Sequence, residues 1–174
     1  MIIRRETQDD FDVIYDLVKV AFETAKVSNG KEQDYVNYLR KSGKYIPELA
    51  LVAEDDGKLI GHIMLTRIDI VSDEGRNEGL LLAPISVELA HRNKGVGSAL
   101  IRESFKRAHE MNFTSVLLVG DPAYYNRFGF RQSIDFGIKY ATPIPDEYVL
   151  ACELIPDALE GIHGVFSCET EASE

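Results

Sequence analysis

Arg92-Asn93-Lys94-Gly95-Val96-Gly97-Ser98 is the stretch whose residue types and spacing could do chemistry. Two glycines one residue apart can take backbone angles closed to other residues and let a ligand approach the main chain. Arg92 and Lys94, with His91 beside them, add positive charge. Leu100, Ile101, Phe105, Ala108 and Met111 follow at helical spacing, with Arg102, Glu103, Lys106, Arg107 and Glu110 between them. The loop therefore opens a helix whose first N–H groups lack intrahelical partners and lie at the positive end of its dipole. That combination suits a phosphate group. A glycine pair between a strand and a helix can equally be only a tight turn. A P-loop would need four residues between its glycines and then Gly-Lys-Ser/Thr, and a dinucleotide fold would need a third glycine where Leu100 stands. Asp121, after the next strand, could still act as the ribose-binding acid of a dinucleotide site.

The elements that must position this loop are readable on both sides. Leu80-Leu81-Leu82-Ala83-Pro84-Ile85-Ser86-Val87 is a short apolar run bounded by polar residues, the pattern of a buried strand. Pro84 removes a ladder donor there, which calls for a bulge or a local parting of strands. Residues 1–4 read as a first edge strand. Thr7 with Asp10 is an acidic variant of the capping box, ahead of Phe11, Ile14, Val18, Ala21 and Phe22 at helical spacing. Ser28-Asn29-Gly30 breaks that helix, and a second runs over about residues 31–41 with Tyr35, Tyr38 and Leu39 on one side. Residues 49–54 and 59–71 form a hairpin around Asp55-Asp56-Gly57. The second of these strands is apolar on both faces, so both sides of the sheet should be covered. His62 within it reads as a hydrogen-bonded structural histidine, and no second histidine stands at metal-ligand spacing. Residues 72–78 read as a charged loop. Asn112 is a left-handed helix stop, residues 115–119 a buried strand, and Gly120-Asp121-Pro122 a turn into a short helix carrying Tyr124 and Tyr125. Residues 136–140 and 147–155 are expected as late strands, residues 162–168 as an edge strand, and residues 169–174 as a disordered acidic tail.

Composition sets the class. At 174 residues, with 45% hydrophobic and 28% charged residues, the chain fits one globular domain with a sizeable core, over residues 1–168. Its formal charge of −10, from 29 acidic against 19 basic residues, argues against a nucleic-acid partner. A basic loop can hold an anion against that global sign, and the acidic surface favours a cationic substrate such as an amine. Cys152 and Cys168 are too few for a disulfide framework or a thiolate metal site. No apolar segment reaches membrane-spanning length, and the first residues lack a signal-peptide core, so a cytoplasmic protein without a membrane partner is expected.

At these residues the sequence resembles the GNAT superfamily of N-acetyltransferases, and in particular a bacterial branch of uncharacterised acetyltransferases. The family's cofactor loop is Arg/Gln-x-x-Gly-x-Gly/Ala after a strand ending near a valine, which Val87 and Arg92 to Gly97 match. Tyr124-Tyr125-Asn126-Arg127-Phe128-Gly129-Phe130 is similar to the family's tyrosine four residues before Gly-Phe. One departure is Leu89, where relatives usually carry proline; it should alter the strand exit more than the chemistry. The resemblance implies an α/β fold: a central mixed, mostly antiparallel sheet of about six to seven strands, splayed at its centre and flanked by about four helices. It implies acetyl-CoA as cosubstrate and no metal. Ile85, Ser86, Val87, Arg92, Asn93, Lys94, Gly95, Val96, Gly97 and Ser98 would then bind it, with the thioester arm entering where the strands part.

An amine acceptor must be neutral to attack, the oxyanion must meet a donor, and the leaving thiolate gains from a proton. A lysine-type amine of pKa about 10.4 carries a handicap of roughly 4–5 kcal/mol at pH 7, and an α-amino group near 8 only about 1–1.5 kcal/mol. By the resemblance, the backbone N–H of Val87 serves the carbonyl and Tyr125 the thiolate, with Tyr124 as fallback. Glu88, next to that donor, is the candidate base through water. The expected function is acetyl transfer to a primary amine by a monomer or homodimer. The alternative is a non-catalytic acyl-CoA-binding or regulatory module, which would keep the loop without needing Tyr125.

Overall fold

The computed structural model describes residues 1–25 and 28–168, so the acidic tail expected at residues 169–174 lies outside the described residues. The chain divides into two compact units, Met1–Thr66 with Leu82–Ala108, and Arg67–Leu81 with residues 109–168.

In the first unit, β1 (Ile2–Arg5) pairs antiparallel with β2 (Ala50–Asp55), and β2 with the first half of β3 (Lys58–Ser72). The β2–β3 turn places Asp56 and Gly57 at φ 49° and 75°, the two left-handed residues that a tight hairpin demands and that Asp-Gly supplies. Helices α1 (Phe11–Phe22) and α2 (Glu32–Lys41) cover one face, where Ile14, Val18, Val36 and Leu39 pack with Ala50, Val52 and Met64. The other face meets α3 (Val96–Glu110): a Cβ placed on Gly61 would come within 2.9 Å of Leu100 Cδ1 and 3.0 Å of Val96 Cγ1. The absent side chain at Gly61 is what lets strand and helix approach so closely. Residues 59–66 are all buried, as two covered faces require.

In the second unit, the start of β4 (Gly75–Val87) runs parallel to β5 (Ser115–Val119), with Leu80 opposite Val116 and Leu81 opposite Leu117. β5 pairs antiparallel with β8 (Val149–Glu153), which also carries the two-residue β6 (Arg131–Gln132). β7 (Ile138–Tyr140) runs parallel to β9 (Gly164–Phe166), and β9 meets the end of β3 at Val71. The short helix α4 (Pro122–Tyr125) follows β5, its first turn capped by the Asp121 side chain accepting from Ala123 N–H.

The pairing is mixed and the described residues hold four helices, as expected, but nine strands instead of six to seven. Residues 75–78, expected within a charged loop, extend β4 instead. Exposed polar residues can pair as a hairpin arm without an apolar signal. β6 is too short to show any periodicity. Residue 136 lies in a 3-10 turn, and β7 starts only at Ile138, after Gly137 turns left-handed at φ 82°. Among the described residues no helix is long and apolar enough to cross a membrane.

Candidate active site

β4 delivers the loop. Its last residue, Val87, is followed by Glu88 and a 3-10 turn over Leu89–His91, which takes the chain out of the sheet at Leu89. Glu88 N–H donates to Ile60 O of β3 at 2.8 Å. Successive amides of an extended chain point to opposite sides, so the N–H of Val87 is turned away from β3. Pro84 sits in the same strand behind a cis Ala83–Pro84 bond.

Asn93 and Gly95 adopt φ of 62° and 85°, left-handed angles on either side of Lys94. A Cβ on Gly95 would meet nothing within 4 Å, so glycine is needed there for the backbone angle and not for space. The first regular turn of α3 closes with Ala99 N–H donating to Gly95 O at 3.0 Å. The N–H groups of Val96, Gly97 and Ser98 precede that bond and have no carbonyl of their own helix to meet. Asn93, Lys94 and Gly95 are exposed, and Gly97 and Ser98 are partly so. The Arg92 guanidinium, however, is held on the carboxyl end of α1, donating to Ala21 O at 2.8 Å and Thr24 Oγ1 at 2.9 Å. A cation is well placed on those last carbonyls. Positive charge toward an anion at the loop therefore rests on Lys94 and on the amides.

Glu88 stands one residue beyond the end of β4. Its carboxylate meets Lys58 Nζ at 2.6 Å and lies 3.0 Å from His91 Nδ1. The Lys58 hydrogen bond, ahead of the charges of Lys58 and His91, holds its pKa below the usual range.

In the second unit, Tyr125 closes α4. Its ring packs edge-on against Tyr124, with centroids 5.0 Å apart, and against Phe130 at 5.6 Å. Gly129 turns left-handed at φ 90°, which is why glycine precedes the buried Phe130 in this motif. A Cβ on Gly120 would fall 2.8 Å from Tyr125 Cε2, so the ring also depends on that glycine for its place. Burial pushes the phenol of Tyr125 well up, ahead of Tyr124 and Asp121, so it stays protonated at neutral pH. Tyr124 instead packs on Phe128 and lies under the Arg127 guanidinium.

One cluster escaped the sequence reading. Glu6, just after β1, has a fully buried side chain and four donors. Oε1 accepts from Arg40 Nη2 at 2.9 Å and from His62 Nε2 at 3.0 Å, and Oε2 from Arg40 Nε at 2.8 Å and Tyr45 OH at 2.7 Å. Burial alone would raise the Glu6 pKa, but the hydrogen bonds of Arg40 and His62 outweigh it and bring it to about 2. The four residues come from positions up to 56 apart, so no local spacing could reveal them. The buried polar position of His62 was the single signal.

Residues 2–133 match the family model described as an acetyltransferase (GNAT) domain. The uncharacterised N-acetyltransferase YhbS of Escherichia coli K12 is 30% identical over 166 residues, covering 95% of this chain and 94% of that protein. The crystal structure of E. coli YhbS in complex with CoA superposes with a TM-score of 0.87 at 27% identity, over 99% of this chain and 92% of that one. A GNAT-family acetyltransferase from Brucella melitensis in complex with acetyl-CoA gives 0.78 at 28% identity, over 99% and 97%.

Proposed function

The chain belongs to the GNAT family of acetyltransferases, and from that premise we propose that it transfers the acetyl group of acetyl-CoA to a primary amine by direct attack, residues 1–168 acting as one catalytic domain. The observation that carries this reading is the loop. Left-handed Asn93 and Gly95 lead into a helix turn with unspent N–H groups, suited to a pyrophosphate. The YhbS protein binds CoA and the Brucella protein acetyl-CoA in their structures.

In this reading Lys94 and the amides of Gly95 to Ser98 hold the pyrophosphate, and Ile85 to Val87 line the thioester arm. Arg92 and Asn93 shape the loop. The Val87 N–H, turned away from β3, donates to the acetyl carbonyl as it gains charge. Tyr125 is assigned to the departing thiolate by its place in the motif. A phenol raised by burial is a weaker acid than a thiol of pKa about 8.5, so it helps by a hydrogen bond more than by full proton transfer. Glu88 is assigned the amine proton through water. Held down by Lys58, it is a weak base, adequate for amines near pKa 8 and poorly matched to lysine-type amines.

The test is turnover of a panel of primary amines with acetyl-CoA, read by thiol release, alongside calorimetry with CoA. Gly97→Glu sets an anion in the first turn of α3 and should abolish CoA binding with the fold intact. Unchanged affinity in that variant, or tighter binding of NAD than of CoA, refutes the reading. Tyr125→Phe should keep CoA affinity and lower kcat by at most about 10²-fold, the low end for an acid catalyst. CoA binding without turnover of any amine would favour the regulatory module.

A further inference from the structure

Glu6 is an ionised, acceptor-only carboxylate with four donors, so the hydrogen shared with His62 sits on Nε2. With the ring neutral, His62 Nδ1 is an acceptor, in a side chain with no exposure to solvent, and it has no hydrogen-bond partner among the described residues. A buried polar atom without a partner costs about 1–3 kcal/mol, and native folds keep few of them. Ser86 Oγ on β4 is a second such atom, also buried and without a partner among the described residues.

The two face each other. Glu88 N–H on Ile60 O aligns residue 88 with residue 60, and a Cβ on Gly61 would lie 3.3 Å from Ser86 O. Antiparallel strands in that register set residue 62 opposite residue 86, on one face of the sheet. Gly61 faces α3, so His62 and Ser86 face the side of α1 and α2, where Arg40 and Tyr45 reach Glu6. Cβ atoms of opposed residues lie about 4.5–5.5 Å apart, within reach of a single water that would satisfy both side-chain tips. Ser86 directly precedes Val87, the residue assigned to the acetyl carbonyl.

We propose that a water held between His62 Nδ1 and Ser86 Oγ takes the proton of the attacking amine and passes it to His62, whose ring Glu6 keeps in the receiving tautomer. This rests on the acetyltransferase reading and supplies a proton acceptor beside the weakly basic Glu88. The amine nitrogen bonds to the carbonyl carbon, and the carbonyl electron pair moves onto oxygen at the Val87 N–H. An N–H proton goes to the water as one of the water's own goes to Nδ1. The oxyanion re-forms the carbonyl, the C–S bond breaks and its electrons leave on sulfur. The imidazolium, still donating through Nε2 to Glu6, later returns its proton through the same water. Charge around the ring is set by Glu6 and, through it, by Arg40 of α2 and Tyr45; β2 sets apolar Val52 opposite His62, and β4 sets Ser86. Glu6, Arg40 and Tyr45 are positioning residues in this scheme.

The experiment pairs a high-resolution crystal structure of the protein with CoA and the pH dependence of kcat for His62→Gln, Ser86→Ala and Glu88→Gln, on an amine that the wild type acetylates. The structure should show one water within about 2.7–3.2 Å of both Nδ1 and Oγ. His62→Gln should lose about 10²-fold in kcat, with CoA affinity retained, and Ser86→Ala about 10-fold. Ser86→Ala removes one buried hydroxyl and decides the matter if His62→Gln does not fold. Absence of the water, or wild-type kcat and profile in Ser86→Ala, overturns the relay while the acetyltransferase reading stands. If no amine is acetylated, that reading fails and the relay falls with it.

Discussion

Two glutamates of the first unit, Glu6 and Glu88, are both held below the usual carboxylate pKa by hydrogen-bonded cationic partners, in opposite surroundings. Glu6 is taken wholly out of water, and desolvation is its largest influence; the hydrogen bonds and charges of Arg40 and His62 overcome it. Glu88 has a quarter-exposed side chain and one short contact to Lys58, itself 64% exposed. In the first case the hydrogen bonds are strong because water is absent, and losing one strands a buried charge. In the second, solvent stands ready to replace the partner. A depressed pKa is therefore a statement about architecture at Glu6 and about local charge at Glu88.

The sharpest way to break that contrast is Glu6→Ala, which leaves the Arg40 guanidinium and His62 without their acceptor. It should cost about 3–5 kcal/mol in urea unfolding. Next comes acid. A carboxyl that titrates at about 2 when folded and near 4.5 when unfolded stabilises the fold fully above pH 4.5. Because the folded value is the depressed one, that stability drains as pH falls from 4.5 to 2, by about 3 kcal/mol in all. Unfolding free energies measured across this window should show the slope in the wild type and lose it in Glu6→Gln. Tyr45→Phe removes one donor to a buried charge and should cost about 1.5–3 kcal/mol by the same measurement. The smallest effect belongs to Lys58→Met: under about 1 kcal/mol, with the Glu88 carboxyl moving up toward its ordinary value by NMR titration. Should Lys58→Met destabilise as much as Tyr45→Phe, the two carboxylates would not differ in the way described.

Legibility followed the range of each interaction. The Thr7–Asp10 capping box, the Asp56-Gly57 turn and the Asn112 stop are settled by neighbours, and the structure has all three. The ends of β4 and β7 and the existence of β6 depend on what pairs with them, and these differ from expectation. The glycine loop of the first unit and the Tyr-to-Phe motif of the second were readable because their demands are local: left-handed angles at Gly95 and Gly129, and a helix start at Val96.

What the amino-acid order by itself determined is thus the strand–loop–helix around Val87 to Ser98, the family it belongs to, and the tyrosine that motif singles out. Only the tertiary structure decided where the charges act. It sends the Arg92 guanidinium to Ala21 and Thr24, ties Glu88 to Lys58, and gathers Glu6, Arg40, Tyr45 and His62 from four separate stretches onto one carboxylate. A side chain's partner depends on which distant segment packing brings within about 3 Å, and hydrophobic periodicity, which fixes the elements, carries no information about that meeting.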